Sequence, residues 1–237
     1  MPIFFRNSRL APIATRHFWL SETPNVPGSV SWDAGQTRMV TLVHFRLLTS
    51  AHSASSDDIW VLNTHWDDRG VESRTEAAKV ILREVNALLK KDGSPGMRGK
   101  AVVLLGDLNS PSREEGYGTL TGHTYSTPNF SPTSKSQTTF LDSRHSLALA
   151  HHSHSAPRGA TPLLTNAFGD VDGTFTGFNP QPQHEIIDFI FVLDNGALGL
   201  GGWTISRFGV VPNQFEDGRG RMYISDHKLV VAALERA

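Results

Sequence analysis

The chain has 237 residues, 38% of them hydrophobic and 19% charged, which fits an ordinary globular protein and argues against a low-complexity chain. It has no cysteine, so disulfides, thiolate catalysis and thiolate zinc sites are excluded, while compartment stays open. A formal net charge of -1, with Lys and Arg scattered along the chain, disfavours a protein that grips long DNA through many phosphates; a small phosphorylated substrate or a short reach of nucleic acid remains.

Taken in chain order, no apolar run approaches the roughly 20 residues that span a bilayer. The opening Met1-Pro2-Ile3-Phe4-Phe5-Arg6 lacks the basic and long apolar regions of a signal peptide. Phe18-Trp19-Leu20 and Arg38 to Leu48 read as strands around a Pro/Gly/Ser/Trp loop, and Ile59 to Thr64 as a third. Glu72 to Lys91 is the clearest helix, with Ala77, Ala78, Ile81, Leu82, Val85, Leu88 and Leu89 at spacings of three and four. Gly93, Pro95 and Gly96 end it. Ala101 to Leu105 reads as a buried strand, followed by a short helix in which Ser112 and Glu115 have capping-box spacing. Residues 121–168 are Ser/Thr/His/Pro-rich and read as a loop insertion, broken by a short helix near Leu147. Thr174 to Phe178, Ile186 to Leu193, Trp203 to Val211 and Leu229 to Leu234 complete a strand-dominated tail. The whole reads as one domain over 1–237, a two-layer sheet sandwich with outer helices.

Chemistry concentrates in polar clusters beside these strands: Asn63-Thr64-His65, Gly106-Asp107-Leu108-Asn109-Ser110, Ile187-Asp188 and Ser225-Asp226-His227. Strands are rigid mounts, so polar groups at their ends can meet in one crevice without loosening the core. Carboxylates, imidazoles and carboxamides gathered this way suit a hard metal ion and a phosphate. Taken singly, Asn63 and Asp107 read as strand-end turn residues and His65 as a loop residue. His145, His151, His152 and His154 read as a solvated insertion rather than a metal cluster, because their spacing is irregular. Asp170-Val171-Asp172-Gly173 lacks the remaining ligands of a calcium loop and reads as a turn. Trp19, Trp32 and Trp203 read as packing residues; Trp66, directly after His65, is the aromatic expected to touch substrate.

The ordered set Asn63-Thr64-His65, Gly106-Asp107-Leu108-Asn109-Ser110-Pro111, Thr174-Phe175-Thr176-Gly177-Phe178, Ile186-Ile187-Asp188-Phe189-Ile190-Phe191-Val192 and Ser225-Asp226-His227-Lys228 resembles the endonuclease/exonuclease/phosphatase superfamily, the DNase I-like fold. Phe18-Trp19-Leu20-Ser21-Glu22-Thr23-Pro24 with Ser31-Trp32-Asp33-Ala34 is similar to a subgroup of hydrolases within it. The resemblance implies an α/β, four-layer sandwich: two facing mixed β-sheets with helices outside. It also implies hydrolysis of phosphodiester or phosphomonoester bonds with Mg²⁺ or Mn²⁺. By the same resemblance, Asp107 would orient or deprotonate the attacking water, and Asn109 would hold that water or a phosphate oxygen. His227 would contact the phosphate with Asp188 fixing its tautomer, and His65 would donate to a phosphate oxygen. Asp107 and Asp226 would sit at the metal, and Asn63, Trp66 and Thr174 would line the substrate.

The chain departs from the family pattern in two places. The family's opening strands, which carry an Asn and the Gln-Glu pair whose Glu is the main metal ligand, have no counterpart here, so the chain reads as truncated at its start. Ile186 stands where many relatives have Arg. The readings therefore run from a metal-dependent phosphoesterase, through an impaired remnant of that lineage, to a nuclease acting on RNA or DNA.

Overall fold

The computed structural model describes residues 1–48, 58–91, 101–122, 138–144, 167–169, 173–178, 185–194, 203–218 and 220–236. Six strands form the larger sheet in the order β1-β2-β3-β4-β7-β5: β1 (Leu10–Trp19), β2 (Met39–Leu47), β3 (Asp58–His65), β4 (Ala101–Asp107), β7 (Asp188–Leu193) and β5 (Phe140–Asp142). Only β3 and β4 run parallel within it. Parallel neighbours need a long crossover, and here α1 (Val71–Lys91) supplies it. A smaller sheet, β11-β8-β6, joins β11 (Leu229–Arg236), β8 (Trp203–Val211) and β6 (Ala167–Gly169), while β9 (Gln214–Asp217) and β10 (Gly220–Tyr223) form a hairpin.

Burial along β3 alternates because successive side chains face opposite sides of a sheet. Trp60, Leu62 and Thr64 are buried, whereas Ile59, Val61, Asn63 and His65 are half-buried. The buried face packs under Ala77, Ala78, Ile81 and Val85 of α1, with Tyr117 and Leu120 of α2 (Glu115–Thr121) closing the same core. The opposite face receives the N-terminal residues, where the Phe5 ring sits 4.9 Å from that of Phe45. β11 packs against β7, which joins the two sheets. The described residues thus give an α/β sandwich of helix pair, large sheet and small sheet. Both described helices belong to the large sheet's core.

Several expectations shift. β1 starts at Leu10, well ahead of Phe18, because pairing with β2 extends to Leu10↔Leu47. It is an edge strand exposed along Pro12 to His17, so its sequence carries no alternation to read. The span 174–178 is no strand: only Phe175 makes isolated bridges, and Gly177 (φ 60°) and Phe178 (φ 57°) turn the chain away from extended geometry. The capping box at Ser112 does not form; Glu114 is the N-cap of α2 and makes no side-chain cap bond. Its carboxylate instead takes two hydrogen bonds from the Arg74 guanidinium, both 3.0 Å. β7 begins at Asp188, two residues later than expected. β5 lies inside the stretch read as a loop insertion. The helix expected near Leu147, the histidines at 145–154 and the turn at 170–172 fall outside the described residues.

Candidate active site

Strand register creates the site. His65 ends β3 and pairs in register with Asp107 at the end of β4, and Asp107 pairs with Asp188 at the start of β7. Paired residues project from the same face, so one rung across three central strands carries an imidazole and two carboxylates. The rung lies on the half-buried face, opposite the helices. His227 reaches it from the loop ahead of β11.

The distances tie these groups into one cluster. His227 Nδ1 lies 2.7 Å from Asp188 Oδ2, and its Nε2 lies 3.7 Å from Asp107 Oδ2. His65 Nε2 lies 3.3 Å from that same Asp107 oxygen. An imidazole with a carboxylate facing each nitrogen is stabilised in its doubly protonated form. The Asp188 bond accordingly raises the His227 pKa above its usual value, aided by the nearby charges of Asp188, Asp107 and Asp226 and opposed by burial. Burial also raises the Asp107 pKa, and the charge of Asp188 raises it further. The Asn109 backbone N–H and the two histidines pull in the other direction.

The turn after β4 is fixed by its own sequence. The Asn109 N–H donates to Asp107 Oδ1 at 2.8 Å, an Asx-type turn. Asn109 has φ 47°, a conformation Asn tolerates better than most residues, and its carboxamide donates to the Trp66 carbonyl at 3.1 Å. Asp107 is therefore at once a strand-end turn residue and the central carboxylate of the cluster. Gly106 (φ 142°) is required by close approach: a Cβ there would lie 1.9 Å from the Thr64 carbonyl oxygen.

The structure brings His65, Asp107, Asn109, Asp188 and His227 together. Four other expected residues take different places. Trp66 is fully buried in the core beneath α1 and α2, out of reach of any substrate; a Cβ on Gly116 would lie 2.9 Å from its ring. Thr174 is 1% exposed, and its Oγ1 accepts the backbone N–H groups of Ile187 and Asp188 at 3.0 and 3.1 Å, so it anchors Asp188 rather than lining a substrate surface. Asn63 gives its carboxamide N–H to the Pro2 carbonyl at 2.7 Å. Asp226 is held by its backbone, its carbonyl accepting Thr176 N–H at 2.7 Å and Thr176 Oγ1 at 2.8 Å, while the charge of its carboxylate acts on His227.

Asp226 also lies outside the group of potential ligand atoms. Among the described residues, one oxygen of Asp107, one of Asp188 and one nitrogen of His227 lie within 4.8 Å of one another. Asp188 is thus the carboxylate grouped with Asp107 and His227, and Asp226 is not in that group. Sequence reasoning missed this because Asp226 adjoins His227 in the chain, whereas Asp188 adjoins Asp107 only through strand pairing.

No known family profile matches the chain, and no curated protein matches it. Solved structures do. An endonuclease/exonuclease/phosphatase from Bacteroides vulgatus superposes with a TM-score of 0.67 at 23% identity, over 98% of this chain and 69% of that one. A mannosyl-6-phosphatase from Bacteroides thetaiotaomicron gives a TM-score of 0.67 at 22% identity, over 97% of this chain and 68% of that one. TDP2 from D. rerio, complexed with single-strand DNA product, gives 0.57 at 12% identity, over 98% and 70%. The chain therefore has the endonuclease/exonuclease/phosphatase fold and spans about two thirds of the length of these proteins.

Proposed function

We propose that the chain is a phosphoester hydrolase working by in-line attack of water on phosphorus, with a phosphorylated small molecule or an exposed phosphodiester as substrate. The observation that carries this reading is the rung His65–Asp107–Asp188 with His227 closing over it. Attack on phosphorus needs positioning and neutralisation of charge on the equatorial oxygens more than covalent help. The imidazolium of His227, braced by Asp188, offers a fixed positive donor to a phosphoryl oxygen. His65 offers a second donor from the opposite side of Asp107. Asp107, partly desolvated at the centre of the rung, is placed to orient or deprotonate the attacking water. Asn109 keeps this carboxylate aimed by binding its other oxygen.

The donor set suits a divalent cation. Two carboxylates crowd a partly desolvated pocket, and Asp107 resists ionisation there partly because of Asp188, a conflict that a cation relieves. Asp188 Oδ2 is engaged by His227, so Asp107 would be the main anionic ligand with Asp188 beside it, a sparse set of the kind Mg²⁺ or Mn²⁺ completes with water and phosphate. Such an ion, when bound, supplies Lewis-acid polarisation of the phosphoryl group. One protein of this fold is a mannosyl-6-phosphatase, and a sugar phosphate is therefore the first substrate to try here. Nucleic acid is the less favoured reading, given a net charge of -1.

The test is hydrolysis of p-nitrophenyl phosphate, bis(p-nitrophenyl) phosphate and a sugar-phosphate panel, with Mg²⁺ or Mn²⁺ and again in EDTA. Metal-dependent release of phosphate or nitrophenol that disappears in Asp107→Asn supports the reading. Full activity in chelator would rule out the metal, and no hydrolysis of any phosphoester would leave the chain a non-catalytic member of the fold.

A further inference from the structure

The second sheet's side of the site holds a residue that none of the sequence motifs contains. Asn213 lies in the turn between β8 and β9, only 2% exposed. Its carboxamide nitrogen donates twice, to Thr176 Oγ1 at 2.9 Å and to the Ser225 carbonyl at 2.7 Å. Its backbone carbonyl accepts from Ile224 N–H at 3.1 Å. Thr176 in turn holds the Asp226 carbonyl through both its N–H and its hydroxyl. Ser225 Oγ accepts the His227 N–H at 3.0 Å. Both residues bound by Asn213 therefore flank the peptide that presents His227.

The same loop holds the partner carboxylate. Thr174 Oγ1 accepts from the backbone of Asp188, and the Thr174 carbonyl accepts Lys228 N–H at 2.7 Å. The Phe175 ring lies 5.0 Å from the His227 imidazole. Loop 174–178 is thus a clamp between Asp188 and His227, and Asn213 locks that clamp to the 225–228 turn. We propose that Asn213 is a positioning residue that sets the His227–Asp188 contact through Thr176 and Ser225. Its catalytic consequence rests on the phosphoesterase reading; its structural content does not.

A carboxamide is suited to this place because one nitrogen supplies two donors to two acceptors. Asp in its place has the same shape and no donor, and sets an anion against the Ser225 carbonyl. The measurement is NMR of the ¹⁵N-labelled full chain, following the Nδ1 proton of His227, assigned by its loss in His227→Gln. Held 2.7 Å from Asp188, that proton is downfield and protected from exchange in the wild type. In Asn213→Asp the signal is expected to broaden away or exchange roughly five- to tenfold faster, as for loss of one ordinary hydrogen bond, with the far-UV spectrum unchanged. Thr176→Val, which removes the shared hydroxyl, is expected to do the same, and Thr176→Ser to restore it. On bis(p-nitrophenyl) phosphate, kcat falls by a similar factor while KM stays within about twofold.

A protected His227 proton in both Asn213→Asp and Thr176→Val overturns the proposal, as does loss of folding in both, which would assign the network to the fold. If Asn213→Asp alone fails to fold, Thr176→Val decides. An inactive wild type that shows the expected proton changes would sink the phosphoesterase reading and leave the positioning role standing.

Discussion

Replacing Asp188 by Asn tests the centre of the site, because it keeps shape and removes one charge. What is lost is the charge on the acceptor of the 2.7 Å bond to His227 Nδ1. Hydrogen bonds to charged groups contribute roughly 1.5–3 kcal/mol. The two side chains are 25% and 18% exposed, so screening favours the lower end. The His227 pKa, raised chiefly by this bond, should therefore fall back toward its ordinary value. Asp107 should fall too, since the charge of Asp188 is the second cause, after burial, of its raised value. A base that gains charge on protonation and an acid that loses it thus move in the same direction.

The sign carries into stability. A histidine whose folded pKa is raised contributes stability that is complete below its unfolded pKa and lost as pH rises through the folded value. Asp107, also raised, costs stability above its unfolded pKa, and the substitution relieves part of that cost. Both effects make the deficit of the Asp188→Asn variant greatest in mild acid and smaller in alkali. Melting temperatures in EDTA from about pH 5.5 to about pH 9 should show the gap between wild type and variant narrowing. Turnover should drop by about 10²–10⁴-fold, as for the same change in a serine-protease triad. A gap that does not vary with pH, or turnover within about threefold of wild type, would refute the assigned geometry.

Gly106→Ala should cost at least ~3 kcal/mol in chemical denaturation, since its Cβ would lie 1.9 Å from a backbone oxygen that cannot move without opening β3–β4; a loss under about 1 kcal/mol would contradict that register. Glu114→Gln leaves the buried Arg74 guanidinium without its carboxylate and should cost about 2–3 kcal/mol, discounted because Glu114 is 25% exposed; urea midpoints measure it. Burial alone would raise the Asp67 pKa, but N–H groups of Gly70, Arg69, Gly35 and Gln36 bring it down to about 2. Its stabilising effect is therefore present above pH 3.8 and lost as pH falls toward 2, so Asp67→Asn should flatten the acid limb of the melting curve.

What the sequence made legible was whatever depends on local pattern. α1 reads from its apolar spacing, and β4 and β7 read as buried runs because both faces are covered. β1 has little pattern because an edge strand facing solvent has no reason to alternate. The 174–178 segment looks like a strand in its Thr and Phe content, and two successive positive φ angles make it a turn. Within the site, His65, Asp107 and Asp188 were recognisable as strand-end residues. That they occupy one rung is a property of register, which no single segment encodes. Trp66 misleads because adjacency to His65 says nothing of direction: it leaves the strand toward the helices. Asn213 escaped because a lone Asn in a turn is common, and only its partners make it particular.

The two halves of the site are held by different means, and this separates activity from stability. His65, Asp107 and Asp188 stand on adjacent strands whose opposite face carries the main core, so shifting them means disturbing that core. His227 hangs from a turn fixed by side-chain and backbone hydrogen bonds, beside a small cluster of Phe208, Val210, Ile205 and Val230. Individual hydrogen bonds of this kind contribute about 1 kcal/mol each, against several for a large buried side chain. Changes to the core beneath the large-sheet rung should therefore register first as loss of fold. Changes in the 174–178, 213 and 225–228 network should register first as loss of alignment, since the Nε2 of His227 already stands 3.7 Å from Asp107, a gap that small displacements decide.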